Sequence, residues 1–176
     1  MSTVRCNTNE LLNVIKDLKV KDRILLSGTV YTARDAAHKR IVEGIKNGVN
    51  PPFEIKGATI YYAGPTPSDG TRPIGSCGPT TSGRMDVFTP FLLDKGLLCM
   101  IGKGPRNNDV IEAIKKNNAI YLCAIGGAGA LASKCIVSAE VVAFEDLGCE
   151  SVKKLEIVDF PLIVGIDAKG NSIFYD

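Results

Sequence analysis

The sequence predicts an α/β protein with a mostly parallel central sheet and a hairpin-rich end. Three observations predict it. Short apolar runs recur at Arg23–Gly28, Ala58–Ala63, Leu97–Ile101 and Ile120–Ile125, each the length of a buried strand. Helix-period segments stand between them, the order that builds parallel β–α–β units. Beyond residue 135 strands follow one another, ending in Leu162–Phe174 with a turn at Lys169-Gly170-Asn171, the signature of a hairpin.

Each element has a local reason. Glu10–Val20 reads as an edge strand or a short helix before a polar turn. Arg23–Gly28 is a buried strand closed by Gly28. Ala33, Ala37, Ile41 and Ile45 recur every fourth residue, so they share one face of a helix. Thr32 is its candidate cap and Asn47-Gly48 its stop. Ala58–Ala63 is β-branched and aromatic, which suits a strand. Thr89-Pro90 starts a helix that closes at Lys95-Gly96, with proline in the first turn where its missing N–H costs nothing. Leu97–Ile101 is the next strand, and Asn108 can cap a helix through Lys116. Ile120–Ile125, Ile136–Phe144 and Leu155–Val158 complete the strands, with a short helix after Gly126–Ala132. No repeat, low-complexity tail or domain boundary interrupts residues 1–176, which read as one domain.

Composition narrows the function classes. The 21 basic and 19 acidic residues leave a net charge of +2, so no broad field favours nucleic acid or a membrane surface. There is no tryptophan, and no apolar run is long enough to span a bilayer. The six cysteines form no Cys-x-x-Cys pair. With no secretory leader recognised, they read as free thiols of a cytoplasmic protein.

The chemistry concentrates in Gly75–Asp86, a stretch of glycine, proline, hydroxyls, a thiol and one arginine. Such a run cannot build a core and should be a loop. Thr81 or Ser82 could cap a helix starting near Gly83, whose free amides, with Arg84, would attract an anion. Three cations follow predicted strands. Arg34 follows the strand ending at Ser27, Arg84 the one ending at Ala63, and Lys103 the one ending at Ile101. In parallel α/β sheets, ligands bind beyond the carboxyl ends of the strands. Two forked guanidiniums and an ammonium suit a small dicarboxylate. Taken singly, each cation could equally be a solvated surface charge.

Other candidates are weaker. His38, the only histidine, lies one turn after Arg34 and is either a general base or a structural residue. Gly127–Ala132 has the glycine spacing of a dinucleotide loop, with Asp146 downstream. Its late place in the chain and tight helix packing explain the same residues. No cysteine, histidine and carboxylate grouping has metal-ligand spacing. Arg106 has no role in this reading and is expected to be replaceable.

Several stretches occur together in one order: Leu26-Ser-Gly28, Thr32-Ala-Arg-Asp-Ala-Ala-His38, Tyr62-Ala-Gly-Pro65, Gly78-Pro-Thr-Thr-Ser-Gly-Arg-Met-Asp86 and Ile101-Gly-Lys-Gly104. In this the chain resembles the beta subunit, or C-terminal domain, of class I iron–sulfur fumarate hydratases and the related L-tartrate dehydratases. The resemblance runs from about Lys21 to the C-terminus. It implies a swivelling β/β/α domain similar to the mobile C-terminal domain of aconitase. It also implies an alpha subunit whose three cysteines hold a [4Fe-4S] cluster with one open iron, a Lewis acid for the substrate hydroxyl and carboxylate. This chain would then bind no cofactor or metal itself, and would join two alpha with two beta subunits. By motif, Arg34, Arg84 and Lys103 would bind substrate carboxylates, and Thr80 would stand at the carbon that exchanges a proton. A threonine hydroxyl needs an activating neighbour, and none is evident in the sequence.

Hydration of fumarate to malate and dehydration of tartrate to oxaloacetate both fit that site. A nucleotide-binding module and a non-catalytic anion-binding protein are the readings from other classes.

Overall fold

The computed structural model describes residues 2–124 and 129–175. Its elements run β1 (Thr3–Asn7), α1 (Leu11–Val14), β2 (Arg23–Thr32), α2 (Asp35–Lys46), β3 (Thr59–Tyr61), α3 (Thr89–Asp94), β4 (Cys99–Gly102), α4 (Asn108–Asn117), β5 (Ile120–Cys123), α5 (Gly129–Ser133), β6 (Ile136–Ala143) and β7 (Val152–Ile166). Two 3-10 turns, Ser82–Met85 and Glu145–Glu150, stand before α3 and β7. The α/β class and the strand–helix alternation are as the sequence predicts.

Strands β1 to β5 pair side by side in parallel. The 15-residue β7 runs antiparallel to β2, β5 and β6. Because β7 pairs with both β2 and β5, the strands β2-β3-β4-β5-β7 close into a five-stranded ring. The sequence predicts an open sheet with a terminal hairpin. Instead the apolar stretch from Leu155 to Ile166 continues as one strand, and only the Ile166–Ser172 bridge remains of the hairpin.

Period-two alternation sorts side chains to the two faces. Leu26, Tyr61, Ile101, Leu122 and Leu162, one from each strand of the ring, belong to one buried cluster. Ile60, Tyr62, Met100 and Tyr121 point the other way, into a second cluster with the apolar faces of α2, α3 and α4. Both faces are covered, which is why these strands read as continuous apolar runs.

Local differences from the sequence reading are small. Residues Thr3–Asn7, which it leaves unassigned, form an edge strand. Glu10–Val20 contains the short helix α1. Strand β2 does not stop at Gly28. It runs on to Thr32 with a bulge between Leu26 and Gly28 against β7. The caps shift accordingly, to Arg34 for α2 and to Asn107 for α4. Asn107 caps through its side chain, which accepts from the Val110 N–H at 2.9 Å. No helix among the described residues is long and apolar enough to cross a membrane.

Candidate functional site

The carboxyl ends of β2, β3 and β4 lie side by side, and the predicted site residues follow from them. Arg34 stands two residues beyond β2, at the cap of α2. The chain leaves β3 through Tyr62 and Gly64, loops out, and returns so that the Thr80 N–H donates to the Tyr62 carbonyl at 2.7 Å. It then forms a parallel bridge between Thr81 and Lys103, just beyond β4. The Ser82 N–H donates to the Lys103 carbonyl at 2.9 Å. Thr80 and Arg84 thus flank the segment bonded to Lys103.

Close approach at this edge requires glycine. A Cβ on Gly102 would lie 1.9 Å from Ser82 Oγ and 2.7 Å from Tyr62 Cδ2, inside any tolerable contact. At Gly64 it would meet Arg34 Cδ at 3.0 Å and the Cys149 carbonyl at 3.3 Å. The Arg34 side chain therefore lies across Gly64.

The long 64–81 segment is tied down along its length. Thr66 and Ser76 bond backbone to backbone at 3.0 Å, the Cys77 N–H donates to the Gly129 carbonyl at 3.1 Å, and the Tyr61 hydroxyl donates to the Cys77 carbonyl at 2.6 Å. Ile74 and Cys77 are buried in the ring cluster.

Each arginine meets a carboxylate of this chain. Arg84 Nη2 lies 3.1 Å from Asp35 Oδ2, with the arginine side chain 56% exposed. Arg34 Nε lies 3.7 Å from Glu150 Oε1 on the 3-10 turn before β7. Arg34 Nε and Asp35 Oδ1 are buried without a hydrogen-bond partner. Arg34, Thr80 and Lys103 are half-buried. A cavity of about 310 Å³ lies beside this edge, between the 65–74 segment, β6 and the 145–151 turn, and none of the four residues lines it.

Three expectations need correction. The helix with free amides near Gly83 is a single 3-10 turn, and its Thr81 cap makes no side-chain bond. Two of its leading amides are occupied, Ser82 N–H by the Lys103 carbonyl and Arg84 N–H by the Thr81 carbonyl at 3.4 Å.

His38 is fully buried, and burial lowers its pKa to about 4. Its Nδ1 lies 2.8 Å from the Arg34 carbonyl, which can only accept, so Nδ1 carries the proton. Nε2 is left buried without a partner, packed near Tyr62 and Phe88. The ring fixes the Arg34 backbone and cannot reach a ligand, so of its two readings the structural one holds.

Arg106 is no surface residue. It is 1% exposed and bonded to Asp86 at 2.6 Å. The only local signal was its place after a Gly-x-Gly turn, which says nothing of burial.

All six cysteines are free thiols. Among the described residues no group of three or more His, Cys, Asp or Glu side chains could hold a metal ion. This donor set does not fit an iron–sulfur cluster. The dinucleotide-like stretch falls partly on residues 125–128 and lies there outside the described residues.

Known proteins share this arrangement of sequence. Residues 1–176 match the family described as Fumarase C-terminus. The chain is 41% identical over 167 residues to the anaerobic class I fumarate hydratase of Escherichia coli K12, covering 94% of this chain and 30% of that protein. It is 40% identical over 167 residues to the mitochondrial fumarate hydratase 1 of Leishmania major, with the same coverage. It thus spans about a third of the length of these fumarate hydratases. A Methanocaldococcus jannaschii protein provisionally named L(+)-tartrate dehydratase subunit beta is 38% identical over 166 residues, and the match covers 91% of this chain and 85% of that one. Matched along its whole length, and similar in size to a beta subunit, this chain belongs to the Fumarase C-terminus family.

Proposed function

We propose that this chain is the beta subunit of a two-subunit class I fumarate hydratase, a hydro-lyase that reversibly hydrates fumarate to malate. The observation that supports the reading is backbone placement: Arg34 follows β2, and the segment carrying Thr80 and Arg84 is bonded to Tyr62 just beyond β3 and to Lys103 just beyond β4. In this reading the two arginines and the lysine hold the two carboxylates. Removing a proton beside a carboxylate moves charge onto that group, and fixed cations there favour the transition state over the ground state. Thr80 holds or passes the proton at the reacting carbon.

In this reading an alpha subunit holds the [4Fe-4S] cluster, and the lack of a metal-binding group of His, Cys, Asp or Glu side chains among the described residues of this chain is consistent with that. A relative named as a beta subunit supports the existence of such a partner. An assembly of two alpha and two beta subunits in the cytoplasm completes the proposal. The closed ring with helices outside supports the likeness to the swivelling β/β/α domain of aconitase, with this chain closing over the partner's cluster as a lid.

The same observation carries a second reading, in which the substrate is tartrate, and the beta-subunit relative favours it. The deciding experiment is anaerobic reconstitution with the iron-loaded alpha subunit, followed by turnover of malate and of tartrate. Malate turnover by the assembled pair supports the first reading, and tartrate alone supports the second. Turnover by the isolated chain would overturn both.

A further inference from the structure

We propose that Arg106 is a positioning residue. From inside the fold it sets the turn carrying Arg84 against the loop carrying Lys103. Its guanidinium Nε donates to Asp86 Oδ1 at 2.6 Å, and Nη2 donates to Tyr62 Oη at 3.1 Å and Thr89 Oγ1 at 2.9 Å. The rings of Tyr62 and Tyr121 flank it, with centroids 5.1 and 4.9 Å from Cζ. Nη1 faces Met100 Sδ at 3.8 Å.

These partners bracket the candidate site. Asp86 follows Arg84 by two residues, and its other oxygen accepts from the Asn107 N–H at 2.8 Å. Tyr62 supplies the carbonyl that holds Thr80. The Tyr121 hydroxyl lies 2.8 Å from both Ser82 Oγ and the Gly104 carbonyl. A carbonyl only accepts, so Tyr121 donates to Gly104 and accepts from Ser82. Ser82 precedes Arg84 by two residues, and Gly104 follows Lys103 directly.

A buried ion pair is rarely a net gain over apolar packing. Its use here is geometric, since one planar cation on the β4–α4 loop bonds Tyr62 just beyond β3, Asp86 just beyond the 3-10 turn and Thr89 at the start of α3 at once. Supporting shells of this kind decide whether a site holds its geometry.

The kinetic part of this inference rests on the proposed carboxylate-binding role of Arg84 and Lys103. The test therefore has two arms. In the first, Arg106→Lys and Tyr121→Phe are made in the full chain, and hydrogen exchange is followed by peptide. Segments 80–86 and 102–107 should exchange on the order of tenfold faster than in the unmodified chain, with β5 and β7 unchanged. In the second, the same variants are assembled with the alpha subunit. KM for malate should rise on the order of tenfold, with Tm of Tyr121→Phe lowered by no more than about 4 °C. Arg106→Lys should be less impaired than Arg106→Ala.

Unchanged exchange in both segments would overturn the inference. So would a lower Tm with uniformly faster exchange and an unaltered KM, the mark of a merely structural residue. If the unmodified assembly turns over neither malate nor tartrate, the functional reading fails, and the exchange arm alone decides the role of Arg106.

Discussion

Arg106 and Asp86 meet at 2.6 Å with side chains 0% and 7% exposed. Two of the chain's charges are therefore inside the molecule, under the segment that carries Arg84. Removing one partner leaves the other charged and buried, the costly way to break such a pair. Arg106→Ala is expected to lose about 3–5 kcal/mol of stability, read as a lower urea midpoint at unchanged slope. The expectation that this arginine is replaceable is thereby reversed, and a loss below about 1 kcal/mol would show that the pair is solvated.

Acid should weaken the fold through His38. Burial holds its folded pKa near 4, below the ordinary value of 6.5. A depressed histidine pKa means that the unfolded chain binds the proton first. The stability from the neutral ring is complete above pH 6.5 and is lost as pH falls toward 4, about 3 kcal/mol over the whole window. Urea titrations at pH 7 and pH 5 should show the drop, and His38→Gln should flatten it. An identical drop in the variant would assign the effect to other groups.

Thiol reactivity should single out Cys149. It is the exposed cysteine, whereas Cys77 is buried with its pKa pushed up to about 12, and Cys99 is buried with its pKa raised. Desolvation disfavours the reactive thiolate at both. A thiol reagent on the native chain should label Cys149 fast, half-buried Cys123 and Cys135 more slowly, and Cys99 last. Rapid labelling of Cys99 would contradict its place in the ring interior.

Gly102→Ala should disturb the site edge and the core together. The added methyl would overlap Ser82 Oγ and Tyr62, and overpacking of this kind costs about 1–3 kcal/mol. Thermal melting measures the cost. An unchanged Tm would mean that the 3-10 turn moves freely away from β4.

In the assembled enzyme, Arg84→Lys keeps the charge and loses the fork that orients a carboxylate. The expected loss in kcat/KM is on the order of a hundredfold, equal to about 3 kcal/mol of transition-state stabilisation. Thr80→Ala should lower kcat more than it changes KM. The control is Lys116→Ala, an exposed residue paired with Asp94, which should change little. Equal behaviour of Arg84→Lys and the control would remove Arg84 from the site.

The sequence by itself determined what neighbouring residues encode. The four apolar runs became β2, β3, β4 and β5, because period and β-branching act within a few residues. Pro90 marks a helix start through local geometry, whereas the cap of α4 is read at Asn108 and lies one residue earlier, at Asn107, whose side chain reaches three residues on. The order of Arg34, Arg84 and Lys103 after successive strands was legible for the same reason, and so were the motifs of the family. Tertiary structure decided the rest. Closure of the ring depends on β7 pairing with β2, more than a hundred residues away at Leu26 and Phe160, and no local pattern encodes that partner. The burial of Arg106 depends on Asp86 and Tyr62, 20 and 44 residues distant. An arginine in a sequence is only a charge with a long stem. Whether it faces solvent, a ligand or a buried carboxylate depends on distant groups that the folded chain brings within hydrogen-bonding reach.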